Sequence, residues 1–260
     1  MRKILISLAA LTIAAFSGIS MSFAQDDGPP NFVPIEMQAC NYADGKDSDD
    51  VDDAMDDMVK WMEDNDGAPY AAWILTKFYT DPTREFDFLY LGAWPNGSTM
   101  GQDQAHYFAT AKDEMAAFSD AADCGGSSAL YASLEVKAPP ESDGQGDGFI
   151  LTMSDCKVAE GRKTADAIAA VRAYGEYRNA NGSPGGTYLF FPAFGVAADA
   201  EFDFKMLNGH ASVEEFGNHY QWIVENAAYL TSGELMDGLL DCDTPRAYAG
   251  DTVVNTIATQ

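Results

Sequence analysis

The chain carries three histidines, His106, His210 and His219, and the chemistry open to it starts with them. An imidazole titrates near neutrality, so each can act as a general acid or base. Their spacing does not make a metal centre, because there is no H-E-x-x-H and no pair at ligand spacing on a helix. No metal is therefore expected. The acidic run DGKDSDDVDD at residues 44–53 offers the hard oxygen donors that calcium prefers. It lacks the glycine at the sixth position and the glutamate at the twelfth that a calcium loop needs, and it reads instead as the acidic first turn of a helix. No G-x-S-x-G, P-loop or G-x-G-x-x-G occurs, so no hydrolase elbow, triphosphate site or dinucleotide site is indicated, and no cofactor is expected.

These side chains need a scaffold, and the sequence describes one twice. EFDFLYL at residues 85–91 returns as EFDFKML at 201–207, 116 positions later. At the same offset CNYADGK (40–46) becomes CKVAEGR (156–162). Asp123-Cys124 and Tyr131-Ala132 return as Asp241-Cys242 and Tyr248-Ala249, with offsets of 118 and 117. Such self-similarity reads as two copies, near 32–137 and 149–250, joined by the Pro-, Gly- and acid-rich stretch 138–148.

Within each copy the periodicity changes in the same order. In the first, residues 32–39 alternate as a strand. A capped helix follows, with Val51, Ala54, Met55, Met58 and Met62 on one stripe. Aromatic and branched strands are expected at 71–79 and 85–93. A second helix presents Phe108, Ala111, Met115, Phe118 and Ala122, and a last strand covers 128–136. The second copy offers a strand at 149–154, a helix after Thr164, strands at 187–194 and 201–207, a helix opened by the capping box Ser212 to Glu215, and a strand at 246–249. The order βαββαβ is the ferredoxin-like split βαβ. Strands such as YLFFPAF at 188–194 are apolar on both faces, so something must cover the sheet's second face.

Residues 1–24 read as a secretory leader: Arg2 and Lys3, an apolar run over 4–16, then Ser22-Phe23-Ala24 before the cut. That run is too short to span a bilayer, and no other segment approaches about 20 apolar residues, so no integral membrane segment is expected after the cut. The expected destination is the periplasm or the exterior. Removing Arg2 and Lys3 from the 15 basic residues leaves 13 against 41 acidic ones, a formal charge of −28. Nucleic acid is accordingly a poor partner. An apolar content of 47% supports packed cores, in units at 25–137 and 149–250 with linker 138–148 and tail 251–260.

Element order and strand character resemble the dimeric α/β-barrel superfamily, which includes antibiotic-biosynthesis-type monooxygenases, stress-responsive barrel proteins and haem-handling relatives. The resemblance implies an α+β fold in which two tandem ferredoxin-like repeats pack sheet to sheet as an intramolecular α/β barrel. In a ferredoxin-like sheet the last strand lies beside the first, so disulfides Cys40–Cys124 and Cys156–Cys242 are expected, as suits an oxidising compartment. In that superfamily the cleft between sheet and helices holds a small planar or apolar ligand. The resemblance then implies a site drawn from Trp73, Tyr90, Trp94, His106 and His219. His210, which follows its strand where Trp94 follows the matching one, is the candidate catalytic acid or base. The expected function is binding of a small apolar or aromatic molecule, with cofactor-free oxygenase- or isomerase-type chemistry. The alternative is a non-catalytic cell-envelope platform for protein partners. Nothing in the pattern sets an oligomeric state.

Overall fold

The computed structural model describes residues 31–125, 128–139 and 148–257. The leader expected at 1–24, residues 140–147 of the linker and the last three residues of the tail lie outside them. β1 (Val33–Tyr42) alternates as expected, with Val33, Ile35 and Met37 buried on one face and Cys40 on the other. Asp47 caps α1 (Ser48–Asp64): its carboxylate accepts from the Asp49 backbone N–H, and the Asp50 carboxylate accepts from the Asp47 N–H. The acidic run is thus the helix start, and behind it Val51, Ala54, Met55, Met58, Trp61 and Met62 are buried. The first half continues with β2 (Ala71–Tyr79), β3 (Phe88–Ala93), α2 (Gly97–Thr110), α3 (Lys112–Ala121), β4 (Ala122–Asp123) and β5 (Ala129–Lys137). The second runs β6 (Gly148–Val158), α4 (Thr164–Ala180), β7 (Gly186–Phe194), β8 (Phe204–His210), α5 (Val213–Glu225), α6 (Ala228–Met236), β9 (Leu240–Cys242) and β10 (Arg246–Asn255).

Where one long helix is expected in each half, two occur. The first breaks at buried Ala111, and Phe108, expected on the packed stripe, is 60% exposed. The second breaks at Ala227, whose φ of 46° is left-handed and cannot continue a helix. The last strand runs beyond 249 to Asn255 because it has a partner along that length, with Asn255 opposite Ala71.

The strands lie in the order β2-β3-β1-β5 in one half and β7-β8-β6-β10 in the other. The β5–β7 and β10–β2 pairings join the two, so eight antiparallel strands close a barrel. The halves therefore meet edge to edge as well as face to face. Closure satisfies the backbone groups that two separate sheets would leave at their edges. Inside are Val33, Ile35, Trp73, Leu75, Leu151 and Phe190 among others. Two further cores lie outside the barrel, one under α1 and α3, the other under α4 and α6.

The echoed EFDF has a structural job. The Asp87 backbone N–H donates to Cys40 O, and its carboxylate accepts from the Tyr42 N–H at 3.0 Å. Asp203 does the same to Cys156 O and to the Val158 N–H, the latter at 2.7 Å. Each aspartate ties the start of one strand to the strand that bears a disulfide. Those disulfides are Cys40–Cys124 and Cys156–Cys242, as expected, spanning 84 and 86 residues.

Candidate functional site

Strand alternation sorts the expected site residues onto different surfaces. Trp73 points into the barrel with Leu75, not into a cleft under the helices. Tyr90 and Trp94 face the helices of the first half. His106 sits on the exposed part of α2, its ring 5.3 Å from that of Trp61 and its Nε2 3.1 Å from Asn65 O. His210 and His219 come together in the second half, 4.8 Å apart ring to ring. No single site gathers all six.

The sheet–helix interface of the first half, the place of the expected cleft, is packed around a carboxylate that sequence reasoning missed. Glu36 lies on the face of β1 that also carries Cys40, opposite Val33, Ile35 and Met37, so the alternation of residues 32–39 was the signal that could have found it. The Tyr70 hydroxyl donates to Glu36 Oε1 at 2.8 Å and lies 2.5 Å from the Tyr90 hydroxyl. Part of the Glu36 side chain remains exposed, yet its carboxyl group is deep enough that burial raises its pKa, against the lowering effect of the Tyr70 bond. Burial also holds both tyrosines well above the usual phenol value, so they stay protonated donors. Gly92 makes this chain fit, because a Cβ there would lie 2.0 Å from the Tyr70 hydroxyl and 2.6 Å from Glu36 Oε1. Aromatic rings frame it: Trp94 is 4.9 Å from Tyr70 and Phe118 6.0 Å from Tyr90. Trp94 is fixed in turn by its indole N–H, which donates to buried Asp103 at 2.8 Å.

The corresponding region of the second half puts a cation where the first has a methionine, and Lys137 of β5 adds another. Fully buried Arg178, at the place in α4 that Met62 holds in α1, donates to Ser183, Thr187, Asn208 and the Pro184 carbonyl. Lys137 donates to the Gly185 carbonyl. Among the described residues neither has a carboxylate in hydrogen-bond contact. Burial lowers Arg178 to about 10 and Lys137 to about 8. Burial first, then the charges of Arg178 and Lys137, pushes His210 down to about 4. Burial, Arg178, His210 and Lys137 push His219 to about 3. Both rings are neutral at pH 7, each with one N–H and one unprotonated nitrogen, and burial with the nearby cations makes them weaker bases than an imidazole in water. Neither ring nitrogen of His210 has a hydrogen-bond partner, and Glu215 Oε1 stands 3.9 Å from its Nδ1. Among the described residues no group of three or more His, Cys, Asp or Glu is placed to hold a metal ion.

A third surface is the barrel's own mouth. At the end where β8 and β10 begin, a cavity of about 690 Å³ has walls of Met37, Leu89, Tyr131, Met153 and Tyr248, with Arg84, Lys205 and Arg246 among its lining.

No protein-family model and no curated protein sequence matches the chain. Solved structures do. A candidate monooxygenase from Lactobacillus acidophilus superposes with a TM-score of 0.52 over 86% of this chain and 95% of that one, at 14% identity. A candidate chlorite dismutase covers 88% of this chain and 98% of its own at 13% identity and a TM-score of 0.49. An anthrone oxidase-like protein covers 88% and 97% at 10% identity and the same TM-score. The chain has the dimeric α/β-barrel fold. At such identities the likeness speaks for that fold, and activity has to be argued from the residues of the clefts.

Proposed function

We propose that this is an exported barrel protein, built from a duplicated ferredoxin-like unit, that binds a small planar apolar or aromatic molecule in the first-half cleft and moves a proton on it. The observation that carries this reading is the Glu36–Tyr70–Tyr90 chain, set among aromatic rings. A carboxylate whose pKa is raised by burial is a stronger base than one in water and suits proton abstraction near neutrality. Glu36 is the acceptor for a proton from an acidic C–H or phenolic O–H of the ligand. Tyr70, held protonated, donates to that carboxylate and Tyr90 in turn donates to Tyr70, so the chain orients Glu36. Returning the proton to another atom is isomerase-type chemistry. Reaction of the resulting anion with dioxygen is the oxygenase type. Two disulfides suit an oxidising compartment, and no helix among the described residues is long and apolar enough to cross a membrane. Duplication is supported by contacts that repeat 116 residues apart: Trp94 with Asp103 and His210 with His219, Trp61 with His106 and Tyr177 with Trp222.

The test is α-proton exchange of 2-tetralone, an aromatic ketone with an acidic C–H, in deuterated water followed by NMR. The protein should accelerate exchange, and Glu36→Gln should lose about 10²- to 10⁴-fold of that acceleration while far-ultraviolet circular dichroism is unchanged. Equal exchange by wild type and variant would overturn the assignment of Glu36.

One observation favours the non-catalytic platform. Val213, Tyr220 and Val224 on α5, with Tyr229 and Leu230 on α6, are 56–67% exposed, an apolar face of the kind that partners cover. Absence of exchange in wild type, together with association lost on Tyr220→Ser and Val224→Ser, would support that reading.

A further inference from the structure

The barrel mouth lies on the opposite side of the sheet from the proposed cleft. Met37 and Leu89 point into it, while their chain neighbours Glu36 and Tyr90 point to the helices. Its volume, about 690 Å³, is that of a small-molecule site, and its walls are methionine, leucine and tyrosine. What distinguishes it is charge. The chain has 41 acidic and 15 basic residues, yet the cavity lining holds three cations, Arg84, Lys205 and Arg246, against the rim acids Asp81 and Glu85. Asp81 is turned into its own loop, where its carboxylate accepts from the Thr83 backbone and hydroxyl at 2.8 Å.

The cations are unevenly partnered. Lys205 and Arg246 share one carboxylate inside the barrel, Asp155, which Lys205 contacts and which stands 3.2 Å from Arg246 Nη2. Arg246 reaches out with Nη1 to Asp243 at 2.5 Å, and its Nε finds no acceptor. Arg84 makes no ion pair among the described residues and stands exposed on the rim. Burial lowers the Lys205 pKa most, Asp155 acts against it by hydrogen bond and charge, and Arg246 and then Arg84 lower it further. The unpartnered Arg246 Nε and the unpaired Arg84 guanidinium are donors that an anion entering with its own apolar body would satisfy.

We propose that the barrel mouth is a second ligand site, independent of the first-half cleft, that takes an aromatic or apolar carboxylate. The body lies against Met37, Leu89, Tyr131, Met153 and Tyr248. The carboxylate meets Arg84, Lys205 and Arg246. Specificity for the charged form comes from the cations, and shape selection comes from a barrel closed by hydrogen bonds, which leaves the walls little room to adapt.

The methionines make the test direct. In the full chain with ¹³C-methyl methionine, 1-naphthoate should shift the Met37 and Met153 methyl signals, and its neutral isostere 1-naphthalenemethanol should bind at least about tenfold more weakly. Arg84 is exposed, so Arg84→Gln should leave the fold intact and weaken naphthoate by about five- to tenfold without changing the alcohol. Glu85→Gln, which removes a rim carboxylate, should tighten it. Equal binding of the two probes, or unchanged naphthoate affinity in Arg84→Gln, would overturn the proposal. Shifts confined to Met55, Met58, Met62 and Met100 would place naphthoate in the first-half cleft, which also overturns it while leaving the Glu36 reading standing.

Discussion

Trp94 donates its indole N–H to Asp103 at 2.8 Å, and at the same two places 116 residues later His210 packs against His219. One geometry therefore carries an indole–carboxylate hydrogen bond in the first half and a ring contact between two imidazoles in the second. Because Trp94 and Asp103 are both buried, breaking the bond strands a polar group away from water. Asp103→Ala should cost about 1–3 kcal/mol in urea denaturation. Trp94→Phe should cost less in the Asp103→Ala background than in wild type, since the indole N–H has already lost its acceptor there. Equal costs in both backgrounds would show that the bond contributes nothing.

Gly92 offers a test of the Glu36 chain that leaves the carboxylate itself untouched. A methyl group at this position would meet the Tyr70 hydroxyl at 2.0 Å and Glu36 Oε1 at 2.6 Å, so Tyr70 must move away. Gly92→Ala should separate Tyr70 from Glu36, lower the melting temperature by several degrees, and reduce proton exchange on 2-tetralone as strongly as Tyr70→Phe. A Gly92→Ala protein with wild-type exchange and stability would mean that the tyrosine–carboxylate contact is dispensable.

How much of this was legible beforehand divides along a physical line. The order of strands, the capped first helix and both disulfides follow from local periodicity and from topology, whereas the strands expected at 85–93 and 201–207 begin only at Phe88 and Phe204, because Asp87 and Asp203 bind the neighbouring strand instead. The echoed aspartates Asp87 and Asp203 are visible as repetition, though their role as ties to the Tyr42 and Val158 backbone depends on contacts 45 residues apart. Glu36 and Tyr70 meet across 34 residues and Arg178 and Asn208 across 30, so no window of sequence pairs them. The helix break at Ala227 has no glycine or proline to announce it. The expectation for His210 rests on the ordinary imidazole near neutrality, whereas its burial and the two neighbouring cations, neither of them near it in sequence, lower its pKa to about 4.

The two depressed imidazoles predict a pH dependence with a definite sign. An unfolded histidine takes up its proton near pH 6.5, whereas folded His210 resists to about 4 and His219 to about 3. Between those values the unfolded chain binds more protons, so their contribution is complete above pH 6.5 and is lost as pH falls through the window. Glu135 acts in the opposite direction. Burial raises it to about 7, so its contribution is present below about pH 4.5 and declines as pH rises toward 7. In urea titrations, His210→Gln with His219→Gln should flatten the fall in stability between pH 6.5 and 4, and Glu135→Gln should remove a decline between 4.5 and 7. An unchanged slope in the double histidine variant would show that the rings are solvated in solution.

Closure of the barrel makes the cut between halves decisive. In the intact chain the outer strand β5 pairs with β7 along its length, and β2 pairs with β10 from Ala71 to Tyr79. Residues 25–140 alone would carry two unpaired edges and a bare inner face that includes Val33, Ile35, Trp73, Leu75 and Leu91. Such a fragment has two outlets: pairing with a second copy, which would rebuild an eight-stranded barrel, or aggregation through its edges. Light scattering of the refolded fragment with its disulfide intact should therefore show a dimer or larger species at micromolar concentration. Addition of residues 148–257 should convert it to a one-to-one complex, because β7 and β10 offer both edges their native registers. A fragment that stays monomeric, with dispersed amide signals and no affinity for the other half, would mean that each unit stabilises its own inner face and that the barrel is held by the linker alone.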